Sequence, residues 1–320
     1  MKEESDSRRA EHLSGYQQRD REVVDYRMYE LPGTGLQFRG PPLLIDAPGS
    51  YFTCIGAAQT FGCFCERPFP ALLAERLGLP ALNLGYGGAG PEFFDRHRSL
   101  LTYINRSKFV VIQVMSGRSQ SNSVFDCRGL EYGIRRSDGV AIGADALYSQ
   151  LLGGPTANTG LPALVRKAVA RSMSLPRTLR VIAETRRAWI QSSERLLAGI
   201  TVPTILFWFS KRAPAYRTGV RNLEALFGEF PQLVNQVMVD LVRSRCDDYV
   251  ECISARGSPQ RLYSRFTGRP VTVDPADDRP DLAVGRAWTH NRYYPSAEMH
   301  EDAADALEPT CRRALEQSRR

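Results

Sequence analysis

Four turns and one C-terminal block carry the side chains with chemistry to offer. Gln59 and Thr60 follow a first apolar run, and Asn83 and Gly88 lie in Asn-Leu-Gly-Tyr-Gly-Gly. Arg118, Ser119, Ser121 and Asn122 follow the clearest apolar run, and Lys211 and Arg212 follow the next. His290, Asn291, Arg292 and His300 form the last group. Guanidinium, amide and hydroxyl donors gathered at glycine turns suit a planar or tetrahedral oxyanion. Backbone N–H groups at helix starts add to that affinity. The expected ligand is a phosphate, sulfate or carboxylate rather than a neutral ester, and the histidines are candidate general bases. His300, His290 and Arg118 are therefore the candidate catalytic residues. Gln59, Thr60, Asn83, Gly88, Ser119, Asn122, Lys211 and Arg292 are the candidates for substrate or donor binding.

Each of these has a plain structural role to weigh against the chemical one. Gln59 and Thr60 suit the cap of a helix, Asn83 suits the bracing of a turn, Arg118 suits a surface ion pair, and His300 suits a helix cap. Seven cysteines stand at 54, 63, 65, 127, 246, 252 and 311. Their irregular spacing is no zinc signature and reads as buried thiols. No metal site is expected.

The positioning elements follow from hydrophobic patterning. Apolar, β-branched runs predict strands over 51–55, 80–84, 109–115, 201–210 and 248–254. Gln113 is the one polar residue inside the third run. Helical spacing predicts helices over 70–77, closed by Gly78, and over 91–104, 222–242 with a break at Pro231, and 298–316 broken near Pro309. Residues 1–20 read as a frayed polar tail, and 280–288 give no clear pattern. Strands alternating with helices imply a parallel sheet covered on both faces, with ligands at the carboxyl ends of the strands.

The chain has 320 residues, 42% of them apolar and 24% charged, with a net charge of +7. That is ordinary globular composition, not disordered, collagen-like or coiled-coil. Between 161 and 199 Arg166, Lys167, Arg171, Arg177, Arg180, Arg186, Arg187 and Arg195 face only Glu184 and Glu194, so nearly the whole positive excess sits there. A moderate basic balance favours anionic partners. Nucleic acid is not expected as a partner, because the basic stretch lacks zinc-finger spacing and interleaved aromatics beyond Trp189. The apolar runs are too short to span a bilayer, and the charged N-terminus is no export signal, so a cytoplasmic location is expected.

Three blocks, in order, resemble the SGNH (GDSL-type) hydrolases. Gly56, Thr60 and Gly62 fit a first block of the form G-D-S-x-T-x-G. Asn83, Gly85 and Gly88 fit N-x-G-x-x-G, and Pro295, Ser296, Ala297 and His300 fit the tail of the last block. The resemblance implies a three-layer α/β/α fold with a five-stranded parallel sheet, SGNH- or flavodoxin-like, carried by 47–122 and 200–320. Residues 1–46 then form a tail and lead-in, and 123–199 a basic helical insertion. The departures matter as much as the matches. The family's serine falls on Ala58, its preceding aspartate on Ala57, its histidine on Tyr294 and its third-block asparagine near Ser119, while Gly88 keeps its type. Alanine has no nucleophilic atom, so ordinary serine esterase chemistry is not expected.

Two function classes follow. One is a group transferase, moving an acyl or sulfuryl group from an anionic donor such as acyl-CoA or a phosphosulfate onto a carbohydrate or natural product, with His290 or His300 as base and no tightly bound cofactor. The other is a non-catalytic pseudo-hydrolase that binds a glycan or a partner. Either allows a homo-oligomer.

Overall fold

A computed structural model describes residues 16–45, 47–153, 163–274 and 287–317, with helical backbone but no side-chain description at 163–174. Its centre is a five-stranded parallel sheet built from β3 (Phe52–Gly56), β4 (Ala81–Gly85), β5 (Val110–Gln113), β9 (Thr204–Ser210) and β10 (Asp248–Ile253), in the order β10-β9-β5-β3-β4. All four pairings are parallel. The sheet and its flanking helices are the expected three-layer α/β/α fold. β3, β5 and β9 are buried at every position, as strands covered on both faces must be.

Side-chain alternation divides the two faces. Cys54, Val111, Ile205, Phe207 and Phe209 pack against Phe69, Leu72 and Leu73 of α2 (Phe69–Leu77) and against Met299, Ala303 and Leu307 of α9 (Ala297–Gln317). Ile55, Ile112, Leu206 and Trp208 face the other way. They pack with Phe93 of α3 (Pro91–Arg96), Ile104 of α4 (Leu100–Ile104), Trp189 and Leu196 of α6 (Ala163–Ala198), and Val239 of α8 (Gln236–Arg243). The helix expected over 91–104 is thus two short ones. The helix expected over 222–242 is α7 (Leu223–Phe227) followed by α8, with cis Pro231 between them.

Two sequence expectations need correction. The polar stretch before Arg21 is not frayed over its last five residues. Residues 16–20 form a helical turn in which Tyr16, Arg19 and Asp20 are buried, while 1–15 lie outside the described residues. An antiparallel hairpin follows, β1 (Tyr29–Leu31) with β2 (Leu36–Phe38). The insertion, too, is not purely helical. It opens as a three-stranded antiparallel sheet of β6 (Phe125–Asp126), β7 (Tyr132–Arg135) and β8 (Ala141–Gly143). α5 (Ala144–Gly153) and α6 come next. Phe125, Tyr148 and Ile182 form a small core together with Phe227 of α7. The C-terminal half of α6, by contrast, belongs to the main body: Trp189 is 2% exposed and its Nε1–H donates to Met115 O at 3.1 Å. The side chains of Arg166, Lys167 and Arg171 and the segment 275–286 lie outside the described residues. β11 (Gln260–Arg261) and β12 (His290–Asn291) pair antiparallel as a separate two-stranded ribbon.

Among the described residues no helix is long and apolar enough to cross a membrane.

Candidate functional site

The turn after β3 is fixed by contacts too close for larger residues. α1 (Ala58–Phe61) starts directly after the strand. A Cβ on Gly56 would collide with Thr60 Oγ1 and Gln113. Gln113 Oε1 accepts from Thr60 Oγ1 at 2.6 Å and from the Ala57 amide at 3.1 Å. The lone polar residue of β5 is therefore the brace of the elbow. Asn83 braces it from the other side, with Nδ2 donating to Thr60 O at 2.9 Å and Oδ1 accepting from the Gly85 amide at 2.9 Å. Arg39 caps the end of α1, donating to Phe61 O at 3.2 Å and Gly62 O at 2.8 Å.

This elbow opens on a cavity of about 250 Å³ at the carboxyl end of the sheet. Ala57, Ala58 and Gln59 line it from β3–α1, Gly88 and Ala89 from the turn after β4, and Ser116, Arg118 and Ser119 from the loop after β5. Arg118 is held in place: Nη2 contacts Glu131 Oε2 at 2.5 Å, and Nη1 donates to Asp145 Oδ1 at 2.8 Å. Glu131 comes from the loop before β7 and Asp145 from the first turn of α5, so the insertion supplies both carboxylates. Gly88 permits the approach, with φ +72° and space for a Cβ only 3.0 Å from Glu131 Cγ. Arg19, from the N-terminal turn, pairs with Asp20 at 2.5 Å. Its guanidinium lies 4.7 Å from the Tyr16 ring centre, 5.6 Å from Trp288 and 5.7 Å from Tyr294, within cation–π range. Tyr16, Trp288, Tyr293 and Tyr294 thus make an aromatic wall.

The cavity is charge-balanced, not cationic. Among its described lining residues Arg19 and Arg118 stand against Glu131 and Asp145. Tyr294 occupies the position where the SGNH resemblance places a base. Burial, foremost, raises its phenol well above the usual range, so it stays protonated near neutrality. Ala58 presents a methyl where that resemblance places the nucleophile.

The other expected site residues divide clearly. Gln59, Gly88, Arg118 and Ser119 meet in the cavity. Thr60 and Asn83 brace the elbow behind it. Asn122 is a positioning residue elsewhere: Oδ1 accepts from the Val124 and Phe125 amides at 2.9 and 3.0 Å, and Nδ2 donates to Thr185 Oγ1 at 3.1 Å. Lys211 and Arg292 line a neighbouring chamber of about 180 Å³. The two expected bases lie outside both. His290 sits on β12, with Nδ1 at 3.0 Å from Thr289 Oγ1. His300 is fully buried on α9, stacked near Phe69 and tilted against Phe209. Its Nδ1 accepts from the Phe69 amide at 3.2 Å, and desolvation, then the charge of Arg39, lowers its pKa to about 3. It caps α2 as a neutral ring.

Sequence reasoning missed Tyr16, Arg19, Glu131, Asp145, Trp288 and Tyr293. The first two sat in a charge-rich stretch, and Glu131 and Asp145 in the insertion. The signal available for them was the pair of tyrosines beside Pro295, which contribute a buried Tyr294 and a 40% exposed Tyr293 to the aromatic wall.

Among the described residues no cluster of three or more His, Cys, Asp or Glu is placed to hold a metal ion. The family described as "Domain of unknown function (DUF6473)" matches residues 15–129 and 168–315. No curated protein matches the chain. Among solved structures, a carbohydrate acetylesterase family member from Sinorhizobium meliloti is similar at 11% identity, covering 83% of this chain and 99% of that one, with a TM-score of 0.38. A carbohydrate esterase family 2 enzyme with a carbohydrate-binding domain from Corynascus thermopiles (Myceliophthora fergusii) is similar at 13% identity, covering 88% and 70%, with a TM-score of 0.39. LAE5, an alpha/beta hydrolase enzyme from the metagenome of Lake Arreo, Spain, is similar at 14% identity, covering 84% and 97%, with a TM-score of 0.35.

Proposed function

We propose that this chain, which belongs to the DUF6473 family, is a divergent SGNH-type protein that binds a neutral polyhydroxylated ligand, a sugar unit, in the cavity over its elbow and does not hydrolyse esters there by a serine mechanism. The observation that carries the reading is the cavity lining itself. Five aromatic side chains, Tyr16, Phe230, Trp288, Tyr293 and Tyr294, line the cavity together with the Arg118–Glu131–Asp145 fork, and the elbow presents Ala58. Aromatic faces with a few fixed polar groups are what a concave small-molecule site needs. Carboxylates accept from hydroxyls and the guanidinium donates to ring and hydroxyl oxygens, so one fork serves both polarities of a sugar.

A transfer reaction with an anionic donor has less support. The balanced charges of the cavity give a phosphate or sulfate no net attraction. The histidines expected to act as base, His290 and His300, lie outside it. A covalent route through the elbow needs an oxygen or sulfur atom that Ala58 lacks.

The test is direct. The protein is titrated calorimetrically with neutral mono- and disaccharides and assayed on short acyl esters. Binding that Arg118→Met abolishes, with no ester turnover, is the expected result. Ester turnover lost on Arg118→Met, or no saccharide binding at millimolar ligand, overturns the reading.

A further inference from the structure

The chamber beside the cavity is not a separate feature of the surface. Gln59, Phe230 and Tyr293 line both spaces. Alone, each volume falls short of the roughly 300 Å³ at which ligand clefts usually begin, and together they exceed it. A ligand that crosses the shared wall is thus better matched than one confined to either space.

The chamber has unmet hydrogen-bonding capacity. Gln59 and Gln232 are 2% and 4% exposed, and the Oε1 of each is buried without a hydrogen-bond partner. Gln232 is oriented by its own amide, Nε2 donating to Tyr293 Oη at 2.8 Å. Two buried acceptors without donors are costly to leave so, and both side chains help to line this chamber.

The chamber also holds a partly compensated cation. Lys211 Nζ donates to Ser258 Oγ at 2.8 Å and to Arg292 O at 2.7 Å. Both acceptors are neutral, and an ammonium has a third proton to give. Burial lowers the Lys211 pKa, with the charge of Glu229 opposing. The exposed Arg292 adds a second cation at the rim, and Glu229 is the one carboxylate among the described lining residues. The excess is one positive charge beside two vacant acceptors.

We infer that this chamber is a second subsite for a carboxylate-bearing sugar unit, a uronic acid, whose hydroxyls meet Gln59 and Gln232 and whose carboxylate meets Lys211 and Arg292. The ligand is then an acidic glycan spanning both spaces. This extension rests on the sugar reading of the first cavity, although the subsite itself is tested separately.

The full chain is titrated with cellobiose, with its uronate counterpart cellobiouronic acid, and with sodium glucuronate alone, at low salt. The amide NMR signals of Ser258 and Arg292 are followed alongside. Cellobiouronic acid is expected to bind at least tenfold more tightly than cellobiose. Lys211→Met closes that gap to under twofold while cellobiose affinity stays within twofold of its original value. Arg292→Ala, a change at an exposed side chain, narrows the gap without touching the Lys211 hydrogen bonds. Equal binding of the two disaccharides by the unmodified protein, or a gap that survives both substitutions, overturns the subsite. If cellobiose gives no signal but glucuronate shifts the two amides in a Lys211-dependent way, the sugar reading of the first cavity fails and the subsite stands. If glucuronate leaves those amides unmoved, the subsite fails.

Discussion

His300 makes the stability of this protein fall in mild acid, and the size of the effect follows from its surroundings. The ring is fully buried between Phe69 and Phe209. Nδ1 already accepts the Phe69 N–H, so the neutral ring carries its proton on Nε2. A second proton would have to enter at Nδ1, against an N–H pointing at it. The folded pKa is lowered from 6.5 to about 3, so the unfolded chain takes up a proton that the folded chain refuses. Between those limits the unfolded state binds more protons, and unfolding free energy drops by about 1.4 kcal/mol for each pH unit descended. His300's contribution is therefore complete above pH 6.5 and is lost progressively toward pH 3. Moving from about pH 7.5 to about pH 5 should cost about 2 kcal/mol through this residue alone. The assay is urea unfolding at both values for the unmodified protein and for His300→Asn, which keeps an acceptor for the Phe69 amide and does not titrate. Carboxylates contribute equally to both proteins, so the difference of differences isolates His300. An equal acid loss in the two proteins would refute the buried, neutral assignment and return His300 to the list of candidate bases.

Two further outcomes test the cavity wall and its support. Arg118→Met should destabilise the fold by about 3 kcal/mol in urea unfolding, because it removes the guanidinium paired with the buried Glu131 carboxylate. Asp145→Asn, whose side chain is 42% exposed, should cost under about 1 kcal/mol, and equal costs would show that the fork does not act as drawn. Gly129→Ala should cost more than about 2 kcal/mol, since φ there is +86° and the new Cβ would overlap the Phe93 backbone. Gly139→Ala, at φ +72° with open space around it, carries only the conformational part of that cost, so a similar loss at both sites would remove the steric argument.

The sheet was legible because its strands are β-branched or aromatic runs bounded by turn residues, such as 204–210 before Lys211. Patterning has no access to what a side chain meets, and the misread residues share that trait. His300 has the type of a base and the position of a helix cap. Gln113 interrupts an apolar strand and proved to be the brace of the elbow, a polar exception that marked the turn without lining the cavity. Arg19 and Asp20 are adjacent charges, normally a sign of solvation, yet they neutralise each other among aromatic rings. Asn122 sits at a strand end like Arg118 and turns instead toward Thr185. Glu131 and Asp145 reach the site only because a small antiparallel sheet swings them back to Arg118, and no spacing rule encodes that return.

The aromatic wall joins residues from opposite ends of the sequence order. Tyr16 and Arg19 close against Trp288 and Tyr294, and the same N-terminal turn is tied down by Ser264 Oγ to Glu22 Oε2 at 3.1 Å and by Arg265 Nε to Arg21 O at 2.7 Å, 242 and 244 positions apart. During synthesis Tyr16 and Arg19 must wait, exposed, for the roughly 270 residues up to Trp288 and Tyr294 to emerge before they find these partners. Contacts of such long range are slow to close, so the cavity should be among the last features of the molecule to mature, after the sheet beneath it has already condensed.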